Sequence, residues 1–314
     1  MLVAISSCLL GNPIRYDATG QRDRFLTDKL GKYVTFIPFC PEHLAFGTPR
    51  QTIRIVLEEE RKAVYTVFSK EDVTQKMQNA MDTELQNLQS ELICGIILKS
   101  KSPSCGLGST KYYTKEMSEG KKDGLFALTC KEHFHDFPIE EEARLIDPWL
   151  RENFVMHLFA YEEARQFEKS VSHLSELIAF HTHYKFLLHS KSEKHYRELG
   201  RIVANHALLP FSHVCQQYLA LFRKAIALKG KISKTVNVLE HMAGFFKHEL
   251  SAIEKQELHS QIAEFQQEII PLISVMSTIE FLAKKYDIHY LLEQKFLNPY
   301  PKDLGLRSVI QEGK

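Results

Sequence analysis

The pattern of apolar and polar positions changes character near the middle of the chain. In the first half, short apolar runs are separated by polar or helix-type stretches. Leu2–Ser6, residues 33–39 (YVTFIPF) and residues 63–68 read as β-strands. Residues 73–91 place Val73, Met77, Met81 and Leu85 four apart, with acids and amides between them, which predicts an amphipathic helix. Ile93–Leu98 (ICGIIL) is short and continuously apolar, the pattern of a strand covered on both faces. Residues 125–128 predict one more strand. Strands alternating with a helix predict an α/β domain with a mainly parallel sheet.

The second half is long-period and helical. From Asp147 onward, helices are expected over 147–166, 169–189, 193–207, 211–228, 232–249, 251–268, 271–286 and 288–295. Val236, Leu239, Met242, Phe246 and Leu250 fall on roughly one face, and Pro210, Gly230 and Pro271 punctuate the series. This predicts an all-α helical bundle domain. The expected division is into residues 1–150 and 151–314, with no internal repeat and no low-complexity segment.

Composition adds three points. The 314 residues are 44% hydrophobic and 25% charged, as in an ordinary folded protein. No apolar run reaches the roughly 18–20 residues needed to cross a membrane, and the start MLVAISSCLLGN lacks the basic segment of a secretory leader. The expectation is a cytoplasmic protein with no membrane partner, whose six cysteines stay reduced rather than forming a disulfide framework. The net charge of +1 hides an asymmetry. Residues 1–164 carry 20 Lys and Arg against 24 Asp and Glu, a net of −4; residues 165–314 carry 20 against 15, a net of +5. A basic second half points to a polyanionic partner, with chance as the plain alternative.

Three cysteines share one type of position. Cys8, Cys40 and Cys105 each follow an expected strand, and open parallel sheets bind ligands outside the carboxyl ends of their strands. Cys94, inside an apolar run, and Cys215, in a helix, fit packing. Cys130, near His133 and His135, is ambiguous between packing and a weak metal pattern. Three thiolates fall short of the four ligands of a closed zinc site. They suit a 4Fe-4S cluster with one open iron, which acts as a Lewis acid toward a soft atom. Three unrelated loop cysteines, or a Cys105–His43 nucleophile pair that leaves Cys8 and Cys40 unexplained, remain open at this point.

The loops around them, SSCLLGNPIRYD, CPEHLAFGTPR and LKSKSPSCG, closely resemble the thiouracil desulfidase family. PIEEEARLIDPWLRENF (138–154) is similar to that family's end. HYKFLLHSKSEKHYRELG (183–200), VNVLEHMAGFFKHELSAIEKQEL (236–258) and YLLEQKFLNPYPKDLGLR (290–307) resemble the helical domain often fused to it. The order of the two domains resembles the bacterial tRNA 4-thiouridine desulfidases. The departures are His43, Ala45 and Phe46 after Cys40, and Ala-Arg-Leu at 143–145, none of them at the cysteines.

The resemblance implies an iron–sulfur desulfidase. Its 4Fe-4S cluster would have three cysteine ligands, Cys8, Cys40 and Cys105, and one open iron that takes the sulfur and releases it as hydrosulfide. The reaction the resemblance implies would be non-redox desulfuration of 4-thiouridine in tRNA to uridine. Glu42, two residues from Cys40, is the best-placed carboxylate to activate water. Ser102 is the preferred catalytic hydroxyl, with Ser104 binding substrate, and a turn-forming serine as the alternative. Arg15, Tyr16 and Asp17 are expected to line the pocket, although Asp17 would equally serve to cap the turn before Gly20. Lys99 and Lys101 either meet a phosphate or are solvated.

For the helical half the implied partner is tRNA, and no obligatory protein partner is evident. Lys185, Lys191, Lys194, Arg197 and Arg201, interleaved with His189 and Tyr196, are candidate contacts. Lys234 and Lys247, with Lys229, Lys231, Asn237 and His241, form a second set. A solvated polar face is the alternative for any of them. Two competing functions stand beside this one: a desulfidase of free thiouracil or thiolated nucleosides, and a non-catalytic iron–sulfur sensor or binding protein.

Overall fold

A computed structural model of the chain describes residues 1–59, 61–114, 117–205 and 209–304. The chain divides into two compact units, Met1–Leu150 and Arg151–Lys314.

In the first unit the elements run β1 (Leu2–Ser6), β2 (Thr35–Phe39), α1 (Pro41–Phe46), β3 (Ile53–Leu57), β4 (Lys62–Thr66), α2 (Thr74–Ser90), β5 (Ile93–Leu98), β6 (Thr110–Thr114), β7 (Met117–Lys122), α3 (Leu125–His133) and β8 (Ile139–Glu141). They build two four-stranded sheets. The first has the order β2-β1-β5-β8, and every neighbouring pair in it is parallel. The second, β4-β3-β6-β7, is mixed, with one parallel pair between two antiparallel ones.

The parallel sheet is the expected one, and its strands are apolar because both faces are covered. All six residues of β5 are buried, as are Val3, Ala4 and Ile5 of β1. On one side, Met77, Met81, Leu85 and Leu88 of α2 join Ala4, Ile96 and Leu98 in a single core. Phe126, Ala127 and Cys130 of α3 enter the same core, with Phe126 5.3 Å from Phe39. The strand expected at 125–128 is therefore helical. A short apolar run does not distinguish the two states, and here Phe126, Ala127 and Cys130 fall on one helical face.

The second unit is helical, as its period predicts. It comprises α4 (Pro148–Ser170, entering from the first unit), α5 (Leu174–Lys191), α6 (Glu193–Ala204), α7 (Phe211–Ala227), α8 (Ile232–Ala243), α9 (Ala252–Gln266), α10 (Leu272–Lys285) and α11 (His289–Leu292). The expected helix 193–207 ends at Ala204, and residues 206 and 207 lie outside the described ones. The break between α4 and α5 falls at Val171–Ser172–His173. Glu176 folds back there to accept from the backbone of Ser172 and His173, a reciprocal cap. Helix α8 stops at Gly244 instead of running to 249.

The core of this unit is aromatic. Phe180 stacks on Phe167 at 4.4 Å and meets the rings of Tyr184 and Phe222 at 4.8 and 5.1 Å. Tyr184 donates its buried hydroxyl to Glu163, which also accepts from Lys295. No described helix is long and apolar enough to cross a membrane.

Candidate active site

Cys8, Cys40 and Cys105 follow β1, β2 and β5, which are adjacent and parallel, so all three stand at one end of one sheet. Cys8 lies in a single 3-10 turn, Ser7–Leu10, directly after β1. Cys40 is the N-cap of α1; its Sγ accepts from the His43 amide at 3.4 Å, and Pro41 starts the helix where no amide donor is needed. Its own amide donates to Glu84 of α2 at 2.9 Å. Cys105 is carried by the loop between β5 and β6. Gly106 beside it has no room for a side chain, since a Cβ would stand 2.4 Å from Thr110 Oγ1.

The three thiols act on one another electrostatically. Burial pushes Cys8 and Cys40 up to about 12, and in both the next cause is the neighbouring Cys105. Burial pushes Cys105 up to about 11, partly offset by the hydroxyls of Ser6, Ser104 and Ser102. The Glu42 carboxylate disfavours the thiolate at all three. Four groups from three strand ends thus share one low-dielectric site.

Glu42 is tightly held. Its Oε1 accepts from Ser102 Oγ and from Ser104 Oγ, each at 2.8 Å. Its Oε2 accepts from Arg50 Nη2 at 3.0 Å, with only 6% of Arg50 and 14% of Glu42 exposed. Ser102 Oγ also accepts from the amides of Ser104 and Cys105 at 3.2 and 3.1 Å, so one hydroxyl links the carboxylate to the cysteine loop. Ser104 Oγ lies 3.6 Å from Cys105 Sγ. Arg50 is fixed in turn by the carbonyls of Ile14 and Gly47 at 2.8 and 3.1 Å.

The Cys105 loop is gripped on both shoulders by consecutive glutamates at the end of β8. Glu142 accepts from the Ser100 amide and hydroxyl, each at 2.7 Å, and pairs with Lys99. Glu141 accepts from the Leu107 amide at 2.9 Å and Ser109 Oγ at 2.6 Å. Ser109 Oγ accepts from the Lys101 amide. Arg50, Glu84, Glu141 and Glu142 are site-building residues that sequence reasoning did not single out. A lone charged residue gives no signal of burial. The uninterrupted run of Glu140 to Glu142 was the one available hint.

Other candidates fall elsewhere. Asp17 accepts from the Thr19 amide and hydroxyl, the turn-capping alternative, and burying nothing itself it stands 3.8 Å from Arg15. Arg15 also donates to Thr19 and lies over the exposed Tyr16 ring. This loop reaches the site through its backbone, where the Tyr16 carbonyl accepts from the Arg50 amide. Lys99 is engaged by Glu142 rather than solvated. The His43 ring bonds Thr48 Oγ1 at 2.7 Å and the His133 ring bonds the Thr129 carbonyl, so neither imidazole is spent on a cysteine. Cys94 and Cys215 are buried, and Cys130 sits in the core beside Cys105.

In the second unit, Lys191 is a correction. It is 3% exposed and donates to Asn153 Oδ1 at 2.5 Å, so it does not face a polyanion at the surface. Lys234 donates to the Lys191 carbonyl at 2.8 Å. Arg197 pairs with Glu193, and Lys194 lies 4.0 Å from Glu198. Arg201 and Lys247 are exposed, and Lys185 lies over the rings of Phe186 and Tyr290.

The donor set fits an iron–sulfur cluster better than a lone ion. Among the described residues, no group of three or more His, Cys, Asp or Glu side chains stands close enough to hold a single metal ion. A cluster takes its thiolates one per iron, so it suits soft donors spaced over three strand ends.

Residues 3–142 match the model of the family 2-thiouracil desulfurase, and residues 185–301 match that of a family of unknown function, DUF1722. The first of these matches lies wholly within the first unit, Met1–Leu150. A curated relative, the uncharacterized protein YbgA of Escherichia coli (strain K12), is 23% identical over 154 residues, covering 49% of this chain and 91% of YbgA. Among solved structures, the [4Fe-4S]-dependent thiouracil desulfidase TudS is 26% identical, with a TM-score of 0.38, over 46% of this chain and 93% of TudS.

Proposed function

We propose that the first unit replaces the thiocarbonyl sulfur of a thiolated uracil by oxygen from water, and that the substrate of the whole chain is 4-thiouridine in tRNA. The observation that carries the chemistry is the Glu42 carboxylate, held by Arg50, Ser102 and Ser104 within electrostatic reach of Cys8, Cys40 and Cys105. A 4Fe-4S cluster bound by those three cysteines would supply a Lewis-acidic iron for the departing sulfur.

The chain's own residues account for the rest. A carboxylate has about four acceptor positions, and three on Glu42 are taken by Ser102, Ser104 and Arg50. The remaining one, on Oε2, accepts a proton from water as its oxygen attacks C4. The C–O bond forms, the tetrahedral carbon collapses, and the C–S bond breaks. The products are the carbonyl and hydrosulfide, with no change of oxidation state. Ser102 and Ser104 hold Glu42 in one rotamer and are placed to pass a proton to the departing sulfur or to bond the uracil carbonyl. Substrate enters at the carboxyl ends of the parallel strands, the usual place in such sheets.

The tRNA part rests on the net +5 of residues 165–314 and on a helical unit that a small substrate does not require. The family description, 2-thiouracil desulfurase, favours a second reading in which the free base is the substrate. Anaerobically reconstituted protein, mixed with 4-thiouridine-containing tRNA and separately with 2-thiouracil and free 4-thiouridine, separates the two. Loss of the thiolated base and release of sulfide from tRNA, abolished in Cys105→Ala, is the expected result. Turnover of the free compounds alone discards the tRNA role. No turnover of any of them by cluster-loaded protein favours a sensor or binding protein.

A further inference from the structure

The helical unit carries a row of rings that packs against its core on one side, through Tyr196 and Tyr290, and reaches the surface on the other, through His241 and Phe245. Helices α5, α6, α8 and α11 bring a row of rings to one seam. Tyr196 lies parallel to His181, with centroids 5.6 Å apart and planes within 1°. His189 is 5.5 Å from Tyr196 and tilted to it, and His241 is 5.4 Å from His189. Four residues after His241, Phe245 stacks on Tyr290 at 5.2 Å and 14°. Lys185, one helical turn before His189, lies over Tyr290 at 5.8 Å.

Three properties separate this seam from core packing. Its outer rings face solvent: His241 is exposed and Phe245 is 41% exposed. Two of its histidines are held below the ordinary imidazole value, His181 to about 4 by burial and then by Lys185, and His189 by burial first. They are therefore neutral π surfaces at neutral pH rather than cations. Positive charge is supplied beside them instead, by Lys185 and Arg197, both felt by His189, with Glu193 as the nearby acid. Arg201 and Lys247 add exposed cations on α6 and just after α8.

Flat faces flanked by point cations match the chemistry of an unpaired nucleotide, whose base stacks while its phosphate meets a lysine or arginine. We propose that the Tyr196–His189–His241–Phe245 seam is a stacking platform for unpaired bases of RNA, with Lys185 and Arg197 on the adjoining phosphates. This rests on the reading above that the helical unit binds RNA, and it adds where and by which contact. A base-paired helix hides its base faces, so the seam discriminates single-stranded from duplex RNA.

The test titrates the full-length protein with a short single-stranded RNA carrying one 2-aminopurine, and with the same strand in a duplex, over a range of salt. The expected result is tighter binding of the single strand, with quenched 2-aminopurine fluorescence. The double variant His241→Ala/Phe245→Ala should lose the quenching and weaken binding about 5- to 100-fold with the salt slope unchanged. His241→Gln with Phe245→Leu keeps volume, removes the π faces and should behave alike, which separates stacking from a disturbed fold. Lys185→Gln should instead reduce the salt slope. Preference for the duplex, or ring variants that bind as wild type does, overturns the platform and leaves RNA binding by the unit standing. Failure of the wild type to bind either short RNA while it still binds tRNA overturns the platform alone; failure to bind tRNA as well overturns both.

Discussion

The two units bury opposite things. The first buries polar groups: Glu42 is hydrogen-bonded to Arg50, Ser102 and Ser104, and Glu141 and Glu142 are hydrogen-bonded to the loop that carries Cys105. The second buries rings, with Phe180, Tyr184 and Phe222 at its centre, and, Lys191 apart, places the cations named above and the outer rings His241 and Phe245 at its surface. A buried network has few substitutes for any member, because a lost partner leaves an unpaired polar group in low dielectric. A surface seam shares its contacts among many weak ones. Single changes should therefore be close to all-or-none in the first unit and graded in the second.

The sharpest test of that contrast is Glu42→Gln. The amide still accepts from the serines but no longer takes a proton from water. Turnover of the thiolated substrate should fall about 10²- to 10⁴-fold. Iron content and visible absorbance of the reconstituted protein should stay at wild-type levels. Full activity in this variant would remove Glu42 from the chemistry.

A smaller effect is expected at Glu142→Ala, which strands Lys99, with 16% of its side chain exposed, without its carboxylate and frees one shoulder of the Cys105 loop. Breaking a buried pair on one side costs about 3 kcal/mol. Urea unfolding should show that loss together with reduced iron retention. Glu142→Gln, which can still accept from the Ser100 amide, should recover part of both. Equal stability of Glu142→Ala and wild type would break the claim that these glutamates hold the loop.

The smallest effect belongs to the second unit. His181 bonds Tyr218 at 3.1 Å, and its folded-state value is lowered to about 4. A depressed value means the unfolded chain takes up the proton first as pH falls. The associated stability is complete above about 6.5 and is lost progressively between there and about 4. Comparing urea midpoints at pH 7 and pH 4.5, the wild type should lose more than His181→Phe. Parallel losses would show that His181 does not contribute.

The strand ends carrying Cys8, Cys40 and Cys105 were legible because parallel strands buried on both faces write themselves as unbroken apolar runs, as in Ile93–Leu98. The second sheet was not. Only its β4 was expected, as 63–68, because the others are polar or partly exposed; β7, MSEGKK, is exposed at every residue. α3 was misread because LFAL is apolar in either state. Within the site, Glu42 was legible from its place beside Cys40. Arg50 and Glu141 were not, because their roles depend on chain segments that only the sheet order brings together. Lys191, taken for a surface cation, shows the same limit from the other direction: its charge says nothing of the Asn153 amide that receives it.

The order β2-β1-β5 has a consequence for biosynthesis. Cys8 and Cys40 leave the ribosome early, but the third thiol arrives only with residue 105, and it reaches the others only once β5 has docked beside β1. A compact local motif can capture its metal while the chain is still emerging. Here the full set of three thiols exists only once β5 has docked beside β1, so anything that needs all three attachments is held only by a chain whose parallel sheet has formed.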